Sequence, residues 1–201
     1  MHQTETLVLA SQSAARAKLL RDSGIAFTIQ PGQVDESAVK QATKEQGGSA
    51  EDAALTLATL KASQANAPGS IVLGADQILV CTETGRWFDK PIDIAEARTH
   101  LQAFRGKQHV LVTAATCLQD NTVLWSHVTK PALTMRTFSD TFLDAYLELE
   151  AEKLLQTVGA YRIEGPGIHL FERIDGDHAA ILGLPLLPLL GFLRDHGVLT
   201  G

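Results

Sequence analysis

Apolar residues along this chain fall into two rhythms, short continuous runs and stripes at helical spacing. Leu7-Val8-Leu9-Ala10 is a run of the buried-strand kind. Ser13 stands where a helix cap belongs, ahead of Ala15, Leu19 and Leu20 on one side, with Gly24 as the stop. Ile25 to Ile29 reads as a second strand, and a loop with Pro31 and Gly32 leads to Val34-Asp35-Glu36. Ser49 opens a long helix carrying Ala54, Leu57, Ala58 and Ala65 on one stripe, ended by Pro68-Gly69. Ile71 to Cys81 is almost unbroken apolar sequence, the pattern of a strand covered on both faces.

Thr84-Gly85 predicts a hairpin turn that returns through Trp87 and Phe88. Asp93 and Glu96 have capping-box spacing for a helix reaching Phe104. Val110 to Leu118 and Val123 to Met135, joined at Asp120-Asn121, read as one long hairpin. Ser139 starts a helix with Phe142, Tyr146 and Leu149 aligned, and a glycine-rich stretch from Gly159 to Gly167 follows. A strand around Leu170 to Ile174, a turn at Asp175-Gly176-Asp177 and a helix near Leu186 to His196 complete the reading. Strands and helices alternate early and hairpins fill the middle, which predicts an α/β fold with a mixed β-sheet flanked by helices. Two lobes around a cleft are expected, but no linker composition marks a boundary, so residues 1–201 are read as a single domain.

Composition changes this picture little. Hydrophobic residues make up 45% and charged residues 20%, ordinary globular usage. The net charge of −6 gives no general attraction to nucleic acid or to an anionic membrane. The longest apolar run, Ile181 to Leu193, is interrupted by Gly183, Pro185, Pro188 and Gly191 and falls short of the roughly 20 residues a bilayer needs. Cys81 and Cys117 sit in apolar runs with no zinc-like spacing and read as reduced, buried thiols of a cytoplasmic protein.

The most informative single residue is Asp76, a carboxylate inside the apolar run. Such a group is costly unless paired, hydrogen-bonded or bound to a metal. Alternation puts Gly74 on its face, where a missing side chain leaves room for a ligand. A structural Asp paired with a core Lys or Arg fits the pattern equally well. The turn Ser11-Gln12-Ser13-Ala14-Ala15-Arg16 joins a strand to a helix N-terminus, a natural anion site. Arg16 is unfavourable to the helix dipole there unless it reaches an anion; the alternative is a cap and a solvated charge. Lys61 lies on the apolar stripe of its helix, either snorkelling outward or pointing into a polar cleft. Lys90, held extended by Pro91, is a weak signal alone. Asp35 and Glu36 are adjacent loop acids, either solvated or, with Asp76, oxygen ligands for Mg²⁺ or Mn²⁺. Glu164, in Ile163-Glu164-Gly165-Pro166-Gly167, sits in a plain turn or faces a base. No P-loop, G-x-S-x-G or H-E-x-x-H pattern is present in the sequence.

In order along nearly the whole chain, these pieces resemble the Maf family of nucleotide pyrophosphatases. The matching segments are Ser11 to Arg16, Val34-Asp35-Glu36, Lys61-Ala62, Gly74-Ala75-Asp76, Lys90-Pro91, Gly159-Ala160-Tyr161 and Leu182-Gly183-Leu184-Pro185. The resemblance implies a mixed α/β fold with a cleft and hydrolysis of nucleoside triphosphates to monophosphate and pyrophosphate. It implies a divalent cation (Mg²⁺, Mn²⁺ or Co²⁺) at Asp76 and Glu36. It makes Asp76 the general base, with Glu36, Lys61 and Lys90 in the catalytic set. Ser11, Ser13, Arg16, Lys61 and Lys90 would hold phosphates, with Ala15, Gln77 and Glu164 also against the substrate. Some members are dimers, so a homodimer is among the expectations. Gln77 and Glu164 resemble the branch acting on 7-methyl-GTP, since a carboxylate accepts hydrogen bonds from guanine N1–H and amino groups. Ala14-Ala15 departs from the family's Pro-Arg or Pro-Trp pair and removes a group that would touch base or phosphate. Beside a cation and a metal, Asp76 is expected to stay ionised at neutral pH. The competing class is a nucleotide-binding regulator of cell division without significant catalysis.

Overall fold

The computed structural model describes residues 7–199, so the single domain read over 1–201 runs outside the described residues at both ends. In chain order the strands are β1 (Leu7–Leu9), β2 (Phe27–Ile29), β3 (Ile71–Cys81), β4 (Trp87–Phe88), β5 (Gln108–Gln119), β6 (Thr122–Thr129), β7 (Ala132–Met135) and β8 (Phe171–Asp175). The α-helices are α1 (Ala14–Asp22), α2 (Glu36–Glu45), α3 (Ala50–Ser63), α4 (Ile94–Phe104), α5 (Asp140–Glu150), α6 (His178–Ile181) and α7 (Leu186–Asp195). The strands form one mixed sheet in the order β2-β1-β3-β5-β7-β8, with β4 paired to β3 and β6 to β5. The expected mixed sheet with flanking helices is therefore the observed fold.

The chain packs as two compact units. The first holds the described residues up to Gln77, Val112–Thr129 and the described residues from Asp177. Here β1 runs parallel to both β2 and β3, with Leu7 opposite Phe27 on one side and Ile71 on the other. Short parallel strands need helical crossovers, which α1 supplies between β1 and β2. One core joins Leu7 and Leu9 to Leu20 of α1 and to Leu189, Phe192 and Leu193 of α7. Helix α3 buries Ala53, Ala54, Leu57, Ala58 and Ala62, so its mostly alanine face allows close packing. Ser49 caps α3 in a full capping box with Asp52.

The second unit holds Ile78–Leu111 and Lys130–Gly176. The hairpin β3–β4 forms where Thr84-Gly85 predicts it, pairing Leu79 with Phe88. The long return strand expected from Val123 to Met135 is instead two strands, because Lys130 and Pro131 interrupt it and proline offers no N–H to the ladder. Both pieces pair antiparallel with β5, Thr129 opposite Thr113 and Ala132 opposite Val110. In α5 the buried face is Leu143, Tyr146, Leu147 and Glu150, whereas Leu149, expected on that face, is 63% exposed. Glu150 takes the inward position one turn after Tyr146. Cys81 and Cys117 are both free and buried, as expected. No helix among the described residues is long and apolar enough to cross a membrane.

Candidate active site

Asp76 lies in β3 with 3% of its surface exposed. Alternation turns it toward the side of the strand that also carries Gly74, the side on which α3 packs. The partner that makes this burial tolerable is Lys61, in the last turn of α3. Its Nζ is 2.6 Å from Asp76 Oδ1 and 2.6 Å from Glu36 Oε1, so one ammonium bridges two carboxylates. Lys61 thus points inward rather than snorkelling. Asp76 Oδ2 is buried and has no hydrogen-bond partner among the described residues. Burial pushes the Asp76 pKa upward against the pull of Lys61 and Arg16. Desolvation outweighs both cations in setting that direction.

Gly74 has a different use from the one expected. A Cβ on it would fall 1.9 Å from the carbonyl oxygen of Ala58. The missing side chain admits the backbone of α3 rather than a ligand, and this close approach is what carries Lys61 to Asp76.

Asp35 and Glu36 are not adjacent loop acids but the start of a helix that the sequence reading missed. Asp35 is the cap of α2 and accepts from Ala38 N–H (3.0 Å) and Ser37 Oγ–H (2.7 Å). Those hydrogen bonds hold its carboxyl below the ordinary range. Glu36, in the first turn, reaches Lys61 and stands 3.9 Å from Lys40 Nζ one turn on. Lys40, the buried residue of α2, was not anticipated. Had α2 been recognised, the i,i+4 spacing of Glu36 and Lys40 would have pointed to it.

The opening turn is tightly self-bonded. Ser11 Oγ accepts from Ser13 N–H (3.2 Å) and from Arg16 Nη1 (3.1 Å), and Ser13 Oγ caps α1 by accepting from Arg16 N–H (3.3 Å). The Arg16 guanidinium, expected on an anion, is buried and donates to the carbonyls of Ala75 (2.9 Å) and Gly183 (2.8 Å). Two carbonyls and a hydroxyl make it a clamp that fixes the backbone beside Asp76, while its charge still acts on that carboxyl. Ala15 lies half-buried in the first turn of α1. Gln77 follows Asp76 on β3 and so turns to the opposite side. Its amide nitrogen donates to Thr113 Oγ1 (2.8 Å) and lies 3.0 and 3.1 Å from the carbonyls of Ala180 and Ile181, tying α6 to the sheet.

The first unit thus gathers Ser11, Ser13, Arg16, Glu36, Lys61, Asp76 and Gln77. Lys90 and Glu164 belong to the second unit. Lys90 is an exposed loop residue before Pro91. Glu164 is exposed and accepts from Arg162 Nε at 3.1 Å. Arg162 and the buried Glu150 were missed by the sequence reading. The available signal was a charge on the apolar stripe of α5, the same signal that picked out Lys61.

These features define an α/β protein whose buried strand carboxylate is paired with a helix lysine and flanked by an arginine-clamped turn. A family model described as Maf-like protein matches residues 6–196. Over 96% of this chain and 98% of the other, the sequence is 52% identical to a nucleoside triphosphate pyrophosphatase of Granulibacter bethesdensis. It is 47% identical to one of Rhodospirillum rubrum, over 96% of each chain. It is 42% identical to a 7-methyl-GTP pyrophosphatase of Rhizobium etli, over 98% of this chain and all of the relative. The chain belongs to the Maf-like family.

Proposed function

We propose that this chain is a nucleoside triphosphate pyrophosphatase that cleaves the α–β phosphoanhydride to give the monophosphate and pyrophosphate. The observation that carries the reading is the buried Asp76 carboxylate, one oxygen on Lys61 and the other without a hydrogen-bond partner among the described residues. Family membership and the names of its relatives support the same activity.

Asp76 takes a proton from the attacking water as the water oxygen bonds to the α-phosphorus. The bond from that phosphorus to the bridging oxygen breaks, and the electron pair leaves with pyrophosphate. An upward-shifted carboxyl suits this task, because a stronger base takes the proton more readily. Lys61 holds Asp76 and Glu36 in place, and Arg16 fixes the strand backbone beside them. Ser11, Ser13, Ala15, Arg16 and Lys90 are proposed to line the substrate's phosphate side and Glu164 its base, with Gln77 supporting β3 from the opposite face.

The residues fit a divalent cation (Mg²⁺, Mn²⁺ or Co²⁺). Two anionic side chains, Asp76 and Glu36, share one lysine, and Asp76 Oδ2, a hard oxygen donor, is without a hydrogen-bond partner among the described residues. Among the described residues no group of three or more His, Cys, Asp or Glu stands together as a metal cage. Such an ion would neutralise charge building on the phosphate oxygens. The reading places the enzyme in the cytoplasm, as a homodimer like some members of its family.

The test is a panel of ordinary and modified nucleoside triphosphates with Mg²⁺ or Mn²⁺, scored for pyrophosphate and monophosphate. Asp76→Asn is expected to fold and to lose turnover by orders of magnitude. Near-normal pyrophosphate release by that variant would refute the assignment of the base.

A further inference from the structure

We propose that Arg162, anchored by the buried carboxylate of Glu150, is the positioning residue for Glu164 and thereby sets preference for a guanine-type base. This rests on the assignment of Glu164 to the base given above. Glu150, Arg162 and Glu164 all lie in the second unit.

Glu150 ends α5 and is 3% exposed. A carboxylate sealed to that degree needs a cation. Arg162 supplies it, with Nη1 3.2 Å from Glu150 Oε2. The same guanidinium turns its Nε outward to Glu164 Oε1 at 3.1 Å. One planar fork therefore joins an inner carboxylate to an outer one. A lysine has no second, rigidly placed donor edge for this arrangement.

An exposed Arg–Glu pair two residues apart ordinarily does little, because both long side chains must be ordered for a screened attraction. Here the ordering is already done. The inner end of Arg162 is fixed by Glu150, and its backbone is fixed by the turn that follows. Gly165 N–H donates to Arg162 O at 3.3 Å. A Cβ on Gly167 would stand 2.4 Å from Arg162 O and 2.8 Å from its N, so the turn closes directly on Arg162. A Cβ on Gly165 would lie 4.0 Å from each Glu150 oxygen, so the loop seats over that carboxylate. Glu164 is thus an outer carboxylate held from behind.

The chemistry follows from the donor inventory. With Oε1 engaged by Arg162, Glu164 presents an acceptor. Guanine and 7-methylguanine offer donors on the N1–H and amino edge, while uracil and thymine offer carbonyl oxygens that a carboxylate repels. Freed from Arg162, Glu164 would spread over its rotamers and lose that discrimination. A hydrogen bond to a charged group corresponds to roughly tenfold or more in binding.

The test measures kcat/KM for 7-methyl-GTP, GTP and UTP in the parent, Glu164→Gln, Arg162→Lys, Arg162→Lys/Glu164→Gln and the charge-removing double variant Glu150→Gln/Arg162→Gln. Arg162→Lys keeps the charge and removes the fork. Glu150→Gln/Arg162→Gln removes both charges together, so no buried carboxylate is stranded, and it carries the test if the lysine variant does not fold. The guanine-to-uracil ratio is expected to fall about tenfold in both, through KM rather than kcat, with no further fall when Arg162→Lys is added to Glu164→Gln. A purely structural role would lower both substrates alike. If Glu164→Gln lowers the ratio while both Arg162 variants leave it within about twofold, the positioning role is overturned and the Glu164 assignment stands. If Glu164→Gln itself leaves the ratio unchanged, both fall.

Discussion

Replacing Lys61 with methionine removes the ammonium that bridges Asp76 and Glu36 while keeping most of the stem that packs in α3. The two side chains of the inner pair are only 13% and 5% exposed, so water does little to compensate. Breaking a buried pair from one side costs about 3–5 kcal/mol. For a chain of this size that is a fall of roughly 6–20 °C in unfolding temperature. The loss has a definite pH dependence. The Asp76 carboxyl is already shifted upward by burial, and Lys61 is the strongest opposing influence, so its removal moves the carboxyl further up. A raised carboxyl contributes stability that is fully present below its unfolded pKa of about 3.9 and is lost as pH rises through the folded value. The deficit of Lys61→Met relative to the parent should therefore grow as pH rises above the unfolded value, by at most about 1.4 kcal/mol per pH unit. Urea unfolding of both proteins at pH 5, 6, 7 and 8 measures it. Lys61→Met/Asp76→Asn, which removes both charges, should recover most of the loss at pH 8. A deficit equal at pH 5 and pH 8, with no recovery in the double variant, would mean that Lys61 matters for its methylenes and not for its charge.

Asp35 and Glu36 should separate cleanly. Asp35→Ala loses a helix cap and lowers the unfolding temperature by roughly 2–4 °C with pyrophosphate release unchanged, whereas Glu36→Gln keeps stability and lowers turnover; equal loss of activity in both would undo the distinction. Gly74→Ala drives a methyl into the Ala58 carbonyl and should exceed the usual overpacking cost of about 1–3 kcal/mol, seen as insoluble protein or a collapsed melting temperature. A melting temperature within about 2 °C of the parent would contradict the packing of α3 on β3. His109 is buried beside Tyr161 Oη at 2.8 Å, and burial pushes its pKa down to about 3. Its contribution is present above the unfolded value near 6.5 and fades as pH falls toward 3, so His109→Gln should flatten the loss of urea stability between pH 6 and pH 4; an unchanged slope would assign that loss to other groups.

The sequence reading reached this site because burial of a charge leaves a mark in the pattern. Asp76 among aliphatic neighbours and Lys61 on an alanine-rich stripe were both conspicuous, and the two meet at 2.6 Å. The capping residues Ser13, Ser49, Asp93 and Ser139 were legible for a similar reason, since unpaired N–H groups select a small set of side chains. What was lost depended on contacts between distant segments. Gly74 looked like space for a ligand because nothing in β3 tells that Ala58 of α3 comes so close. The bonds from Arg16 to Ala75 and Gly183 were not legible because both acceptors are backbone carbonyls far along the chain. Helix α2 was missed because its short apolar side, Ala38, Val39 and Ala42, is weak in a mostly polar segment that buries little beyond Lys40.

The two units use one device with different cations. In the first, Lys61 lies between the sealed Asp76 and the half-open Glu36, whose side chains are 5% and 46% exposed. In the second, Arg162 lies between the sealed Glu150 and the half-open Glu164, at 3% and 39%. In both, the buried carboxylate orders the cation, and the ordered cation holds an outer carboxylate. Under the proposed function, the choice of cation follows from what each outer group would do. An ammonium is a compact charge that directs no particular edge, which suits carboxylates meant to face a metal ion and phosphate. A guanidinium fixes a plane and an angle, which suits a carboxylate meant to match the edge of a base. Exchanging the two cations is therefore more disruptive than their equal charge suggests: Lys61→Arg should disturb turnover on every nucleotide alike, whereas Arg162→Lys should disturb the choice among them.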